Sequence, residues 1–315
     1  MEQIRETSKG HYSGRVLFNR QIKPGFWRLG LEFSGSGAEA FGTVRPGQFG
    51  EFDLSGAALP AAGAIPEDLR DAAKRDVLLR RPFSFARVDA KGDRAEVEIL
   101  YCVLGPATLR MTTLDYGDEV SVIGPLGNGY SVPEGKKRVI LVAGGMGAAP
   151  LQHLAQVLTD EFGDIEVTAL AGAKTKEQLP FEVKRDRLLE HLRFSLAEFA
   201  RYAIESLVAT DDGSAGFTGT VTDCLADWLG QNEVDANETI VYACGPERML
   251  AAVAKLAREK NIDCQVSMER MMACGIGVCQ SCAVECRVDG SSETVYKLCC
   301  KDGPVFDAKE IVLSV

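Results

Sequence analysis

The chain has 315 residues, a formal net charge of −10, 46% hydrophobic residues and 25% charged residues. This is an ordinary composition for a globular protein of two domains, or two plus a small appendage. The negative charge argues against sequence-independent binding of nucleic acid. No run approaches the ~18 apolar residues that span a bilayer, and the polar N-terminus carries no signal-like stretch, so a cytoplasmic protein with no membrane partner is expected.

Residues 11 to about 134 predict an all-β domain. Short β-rich segments at 11–19, 26–33, 48–54, 95–103 and 119–124 are separated by Pro24-Gly25, Pro46-Gly47, Lys91-Gly92-Asp93 and Gly127-Asn128-Gly129. Many short strands with Gly and Pro turns suggest a closed antiparallel barrel. Residues 57–74, rich in Ala and Pro and then helix-like, read as a surface insertion. The basic run Arg80-Arg81-Pro82-Phe83-Ser84 lies at the end of a strand-like segment. An Arg beside a Pro-fixed backbone suits bidentate contact with a pyrophosphate, and a nearby Ser suits a flavin ring edge. By itself the run is equally an exposed basic strand end.

From about residue 136 strands alternate with helices, which implies a parallel sheet covered on both faces. Strands are expected at 139–143, 165–171, 206–209 and 239–243. Helices are expected at 150–162, 220–229 and 247–259, with a charged helix-like stretch at 177–189. Leu141-Val-Ala-Gly144-Gly145-Met-Gly147-Ala-Ala-Pro150 falls at a strand-to-helix junction. Its glycines let a dinucleotide phosphate approach the backbone and the helix N-terminus, although it is not the Gly-x-Gly-x-x-Gly fingerprint. Val241-Tyr-Ala-Cys244-Gly245-Pro246-Glu247 is a second such junction. Ligands of open α/β sheets bind at these carboxyl ends, so the two turns suggest one crevice. Asp211 and Asp212 follow a strand end where a 2′-phosphate-specific protein would offer Arg or Lys, so NADH is expected over NADPH, unless the pair only caps a turn.

Six of the ten cysteines crowd into residues 274–300. Disulfides are not expected without a secretory signal, and the scattered Cys102, Cys224, Cys244 and Cys264 have the character of small buried hydrophobes. Met271-Met-Ala-Cys274-Gly-Ile-Gly-Val-Cys279-Gln-Ser-Cys282, followed by Cys299 and Cys300, has the plant-type 2Fe–2S spacing, Cys-x4-Cys-x2-Cys with a later fourth Cys. Three thiolates on one short loop must wrap tightly around two irons, and Gly275 and Gly277 can take the positive φ angles this needs. A zinc site on Cys279, Cys282 and Cys299 or Cys300 would leave Cys274 and both glycines unexplained. The spacing leaves Cys299 and Cys300 open as fourth ligand. Residues 264–315 are too few and too rich in Gly and Cys to build their own core.

Taken in this order, the four motifs resemble the ferredoxin–NADP reductase superfamily. Within it the chain most closely resembles the electron-transfer subunits of class 1B dihydroorotate dehydrogenases. The resemblance runs from Tyr12 to Leu313, apart from the insertion at 57–74 and extra length near 189–205. It implies a FAD-binding β-barrel (1–135), an NAD-binding α/β domain (136–262) and a 2Fe–2S lobe (263–315). For FAD it implies Arg81, Pro82, Phe83 and Ser84, then Leu100, Tyr101 and Cys102, and a Gly-Thr pair that falls on Ala107 and Thr108, with alanine in place of the glycine. For NAD(H) it implies Gly144, Gly145, Gly147, Asp211, Asp212, Cys244, Gly245 and Pro246. The family's Cys-x-Asp-Gly-Pro-Val-Phe matches Cys300 to Phe306, which favours Cys274, Cys279, Cys282 and Cys300 as metal ligands. The implied partner is an FMN-containing catalytic dehydrogenase subunit, in a heterotetramer of the pyrimidine pathway. Related alternatives are the small subunit of an NADH-dependent ferredoxin:NADP oxidoreductase or of a sulfide dehydrogenase, or a stand-alone reductase feeding an oxygenase. No catalytic residue is expected: there is no triad or paired-carboxylate signature, and His11, His153 and His191 read as surface or core histidines.

Overall fold

The computed structural model describes residues 9–186 and 193–313. They fall into two compact units, one of residues 9–127 with 271–282, the other of 128–186 and 193–270 with 283–313.

The first unit is a closed six-stranded antiparallel barrel. Its strands are β1 (Gly10–Lys23), β2 (Phe26–Ser34), β3 (Phe49–Phe52), β4 (Arg81–Lys91), β5 (Arg94–Cys102) and β6 (Glu119–Leu126), in the order β1-β2-β5-β4-β3-β6. Period-two alternation builds it: Leu29, Leu31 and Phe33 of β2 and Ala95, Val97, Ile99 and Tyr101 of β5 all point into the core. Phe33 stacks on Phe41 at 3.8 Å between centroids, and Phe41 meets Phe85 edge-on at 5.7 Å. Phe41 comes from a short helix, α1 (Ser36–Phe41), that adds to this core. The insertion contains α2 (Arg70–Ala73). It is tied to α3 (Pro106–Met111) and the turn after it, where Arg110 Nη1 donates to the Ala57 carbonyl and Thr113 Oγ1 to that of Ala58. The basic run opens a strand, β4, instead of ending one.

The second unit is a seven-stranded sheet. Its parallel strands are β7 (Arg138–Gly144), β8 (Glu166–Ala173), β11 (Glu205–Thr210), β12 (Phe217–Thr218), β13 (Thr239–Cys244) and β14 (Asp263–Ser267), closed at one edge by antiparallel β17 (Val305–Asp307). The order is β12-β11-β8-β7-β13-β14-β17. β7 and β13 are apolar and buried almost without alternation, as strands covered on both faces must be. The helices are α4 (Ala148–Glu161), α5 (Ala197–Ala200), α6 (Val221–Gln231) and α7 (Glu247–Glu259). A capping box between Thr220 and Asp223 starts α6.

A second expectation fails. Over its described residues, the stretch 177–189 is a 3-10 turn and then β9 (Val183–Asp186), paired with β10 (Arg193–Leu196); residues 187–189 lie outside the described set. Pro180 cannot sit inside a helix without losing a hydrogen bond, and the flanking Leu179 and Phe181 are drawn into the core as anchors instead. A hairpin, β15 (Ala283–Arg287) with β16 (Thr294–Leu298), completes this unit.

Candidate cofactor sites

In the barrel unit, Pro82 lies opposite Glu51 and Ser84 opposite Phe49 across the β3–β4 ladder. Directly opposed residues share a face, so Pro82 and Ser84 look out of the barrel, while Phe83, opposite Gly50, packs inward against Phe52 at 5.4 Å. Arg81 opens the strand, its Nη1 donating to the carbonyls of Leu79 (2.6 Å) and Arg80 (3.1 Å). On β5, Leu100 is buried and Cys102 half-buried. Tyr101 turns into the core and donates to Asn19 Oδ1 at 3.0 Å, which leaves only its main chain for a ligand outside the barrel. Ala107 and Thr108 form the first turn of α3. Thr108 Oγ1 accepts from the amides of Leu104 (2.9 Å) and Gly105 (3.2 Å), so the hydroxyl holds the turn in shape.

The cysteine loop of the same unit is curled as three thiolates require. Gly275 (φ +67°) and Gly277 (φ +84°) are left-handed, and so is Gln280 (φ +59°). The Cys279 amide donates to Cys274 Sγ at 3.4 Å. Cys279 Sγ lies 3.2 Å from Ser281 Oγ, and hydrogen bonds from Ser281, then Cys274, pull the exposed Cys279 thiol down to about 6. A thiolate at neutral pH, an amide aimed at sulfur and two left-handed glycines fit a 2Fe–2S cluster. Among the described residues no three His, Cys, Asp or Glu side chains form a metal-holding group, so the loop presents donors and not a finished cage. Sequence reasoning passed over Ser281, although its place between Cys279 and Cys282 was the available signal. It also passed over Glu51, a buried carboxyl pushed up to about 7 by desolvation, which outweighs the opposing charges of Arg80 and Arg81.

In the second unit the two glycine turns follow neighbouring strands, β7 and β13, at the point where the sheet order reverses direction. This is the topological switch point at which open α/β sheets bind ligands. Gly144 ends β7, Gly145 (φ +52°) to Gly147 make one 3-10 turn, and α4 starts at Ala148 with Pro150 in its first turn. A Cβ on Gly147 would collide with the Cys244 carbonyl, and one on Gly245 would lie 2.9 Å from Gly144 Cα. The two turns therefore pack backbone to backbone, which brings Gly144, Gly145, Gly147, Cys244, Gly245 and Pro246 together. The Cys244 thiol is buried and pushed strongly upward by desolvation, with Glu269 adding to the shift.

Asp211 and Asp212 follow β11 and are exposed. Asp212 Oδ1 accepts from the Ser214 amide (3.0 Å) and hydroxyl (2.6 Å), which holds its carboxyl below the usual range. Asp212 thus caps a turn, and Asp211 is the one without such a role.

Of the adjacent pair, Cys299 is fully buried and its Sγ donates to the Met268 carbonyl at 3.4 Å; Cys300 is buried too. They sit in a turn closed by Asp302, whose amide donates to the Leu298 carbonyl and whose Oδ2 accepts from the Leu298 amide, both at 2.7 Å. Gly303 leaves room for the Phe306 ring, and Asn128 Nδ2 donates to the Asp302 carbonyl at 3.0 Å. Cys286 is buried on β15.

The family model described as the iron–sulfur cluster binding domain of dihydroorotate dehydrogenase B matches residues 269–312, and that of the oxidoreductase NAD-binding domain matches 141–255. The dihydroorotate dehydrogenase B (NAD(+)) electron transfer subunit of Bacillus caldolyticus is 40% identical over 77% of this chain and 83% of its own. That of Caldanaerobacter subterraneus subsp. tengcongensis is 33% identical over 95% of this chain and 97% of its own. Among solved structures, an NADH-dependent reduced ferredoxin-NADP oxidoreductase superposes with a TM-score of 0.69 at 26% identity, covering 95% of this chain and 90% of that one. A ferredoxin NADP+ reductase from Neisseria gonorrhoeae with bound FAD and NADP shares the fold at a TM-score of 0.54 and 15% identity, over 84% of this chain and 95% of that one. The chain belongs to the family of dihydroorotate dehydrogenase B electron transfer subunits.

Proposed function

We propose that this chain passes electrons between NAD(H) and a catalytic dihydroorotate dehydrogenase subunit. The observation that carries the proposal is the curled Cys274–Cys282 loop in a chain that also has a switch-point nucleotide crevice. When bound, nicotinamide supplies electrons in pairs, the cluster moves them singly, and flavin does both.

The chain's own residues bind and orient. Arg81, Pro82, Phe83 and Ser84, the main chain of Leu100, Tyr101 and Cys102, and the turn at Ala107 and Thr108 hold FAD. The glycine turns at 144–147 and 244–246 admit NAD(H), with Asp211 disfavouring a 2′-phosphate. Cys274, Cys279, Cys282 and Cys300 bind the cluster, while the hydrogen bond from Cys299 to the Met268 carbonyl supports a packing role for that thiol. The three stretches 1–135, 136–262 and 263–315 are thus assigned in turn to FAD, NAD and the cluster. No base that could deprotonate an organic substrate is assigned, so the substrate pocket belongs to the partner, an FMN-containing subunit assembled with this one as a heterotetramer. No helix among the described residues is long and apolar enough to cross a membrane, in keeping with a cytoplasmic setting.

Alone, the chain should pass electrons from NADH to artificial acceptors and show no turnover with dihydroorotate. Mixed with an FMN-containing dihydroorotate dehydrogenase subunit from the same source, it should co-elute on gel filtration with both flavins and support dihydroorotate-dependent NAD reduction. Failure to associate, with normal FAD and cluster, would favour a second reading, the small subunit of an NADH-dependent ferredoxin:NADP oxidoreductase, which the 26% identity over 95% of the chain supports. Dihydroorotate turnover by this chain alone would overturn the two-subunit mechanism.

A further inference from the structure

Glu51 is a charged residue type in a place built for an apolar one. On β3 its neighbours Gly50 and Phe52 face the barrel core: a Cβ on Gly50 would meet Val122 and Phe85, and Phe52 is fully buried. Glu51 must therefore point out of the barrel, on the side of Pro82. Outward-facing residues of a barrel normally reach water, yet Glu51 has 0% exposure, and neither carboxyl oxygen has a hydrogen-bond partner among the described atoms.

What covers it is the cysteine loop. A Cβ on Gly275 would lie 2.7 Å from Glu51 Cδ and closer still to Cγ and Oε1, so the loop backbone rests directly on the carboxyl. The neighbouring guanidinium groups do not neutralise it by contact. Arg80 donates to the Glu51 carbonyl (3.3 Å), the Ser121 carbonyl (2.9 Å) and Ser121 Oγ (2.8 Å), and Arg81 to the carbonyls of Leu79 and Arg80. Burying a carboxyl without a partner is costly, and a leucine would fill the same space at no such cost. The side chain thus sits where the strand carrying the Arg-Pro-x-Ser run is capped by the loop carrying Cys274, Cys279 and Cys282.

We propose that Glu51 is a positioning residue for the iron–sulfur site, its side chain seating the ligand loop on the FAD-binding strands through the bare backbone at Gly275. The proposal rests on the reading that Cys274, Cys279 and Cys282 hold a 2Fe–2S cluster. It adds that the shape of the loop, and so the electronic surroundings of the irons, depends on a strand residue outside the cysteine motif.

The test uses full-length protein purified without oxygen, as wild type, Glu51→Gln and Glu51→Ala. FAD, iron and sulfide are quantified, the electron paramagnetic resonance spectrum of the dithionite-reduced protein is recorded, and iron release to a chelator is timed. Glu51→Gln keeps the shape and should match wild type in spectrum and release. Glu51→Ala should keep FAD, shift the g values and release iron at least tenfold faster. A Glu51→Ala protein with the wild-type spectrum and release rate would overturn the proposal, as would a Glu51→Gln protein as labile as Glu51→Ala. If Glu51→Ala loses FAD, the milder truncation Glu51→Asp probes the same contact from the strand side. A shifted spectrum with normal FAD then supports the proposal, and an unchanged one overturns it. Wild type that itself lacks iron and sulfide would defeat the ligand reading, and this inference with it. An intact wild-type cluster indifferent to both substitutions would defeat this inference alone.

Discussion

The cysteines of the 271–282 loop and those of the nucleotide-binding sheet are the same residue in opposite surroundings. Cys279 is exposed, bonded to Ser281 and to Cys274, and its thiol is drawn down to about 6. Cys264 on β14 and Cys224 on α6 are buried, and desolvation pushes them up to about 12 and about 11; Cys244 moves the same way. A thiolate is a metal ligand and a nucleophile, whereas a buried thiol is a small apolar filler. Chain position alone does not decide which one a cysteine becomes. The loop holds Cys274 and Cys279 in reach of an amide and a hydroxyl, whereas desolvation dominates at Cys224, Cys244 and Cys264, even with Ser267 hydrogen-bonded to Cys244.

The largest effect that could break this contrast comes from serine replacements. Cys274→Ser, Cys279→Ser, Cys282→Ser and Cys300→Ser should each take iron from about two atoms per chain toward zero. Cys224→Ser, Cys264→Ser, Cys286→Ser and Cys299→Ser should keep the iron and cost stability only, by about 1–3 kcal/mol each where a hydroxyl is buried unpaired. Iron analysis with a urea melt on each variant separates the groups, and iron loss in Cys264→Ser would collapse the distinction.

One glycine of the sheet unit answers to a different demand from those of the loop. Gly275 and Gly277 are needed for positive φ, whereas Gly147 has an ordinary helical φ of −58° and is needed for space against the Cys244 carbonyl. Gly147→Ala should overpack the crevice by about 2 kcal/mol, roughly a thirty-fold loss in NADH affinity, with FAD and iron unaffected. An NADH titration of the flavin absorbance would read this directly.

Burial rules a histidine of the sheet unit as well. His153 on α4 is enclosed and its ring pushed down to about 3, so it is neutral in the folded chain. The unfolded chain takes up a proton near pH 6.5, so between about 6.5 and 3 the unfolded state binds more protons and stability falls as pH drops. The slope approaches about 1.4 kcal/mol per pH unit. Urea melts at pH 7, 6 and 5 should show this loss, and His153→Gln should flatten it.

The smallest effect concerns cofactor choice. Asp211→Ala should raise kcat/KM with NADPH relative to NADH by about fivefold, since an exposed carboxylate repels a 2′-phosphate by roughly 1 kcal/mol after screening. Asp212 is spent on its turn with Ser214. Equal kcat/KM for the two reductants in wild type would remove the argument.

Much of this was legible in the sequence. Period-two alternation marked the barrel strands, glycines at strand ends marked the crevice, and cysteine spacing marked the loop. What escaped was decided by partners distant in sequence. Pro180 lay within a stretch charged enough to resemble a helix, but its neighbours Leu179 and Phe181 needed a core that only the folded unit supplies. Nothing local told that the Tyr101 hydroxyl reaches Asn19 across the barrel, which leaves its main chain as the part that can face a flavin. The sequence left Asp212 open between a nucleotide contact and a turn cap, and only the fold shows its bonds to Ser214. Glu51 gave no local signal, because what makes it unusual is a glycine more than two hundred residues away.

The central claim, that one chain joins a hydride carrier to a one-electron wire, is tested most directly by an anaerobic NADH titration of the purified protein with cofactor analysis. The account predicts one FAD, two iron and two acid-labile sulfide per chain, flavin bleaching on NADH addition, and a low-temperature paramagnetic signal from the singly reduced cluster. Stoichiometric zinc with no visible absorbance, or a flavin that NADH reduces without any electron reaching iron, would contradict it.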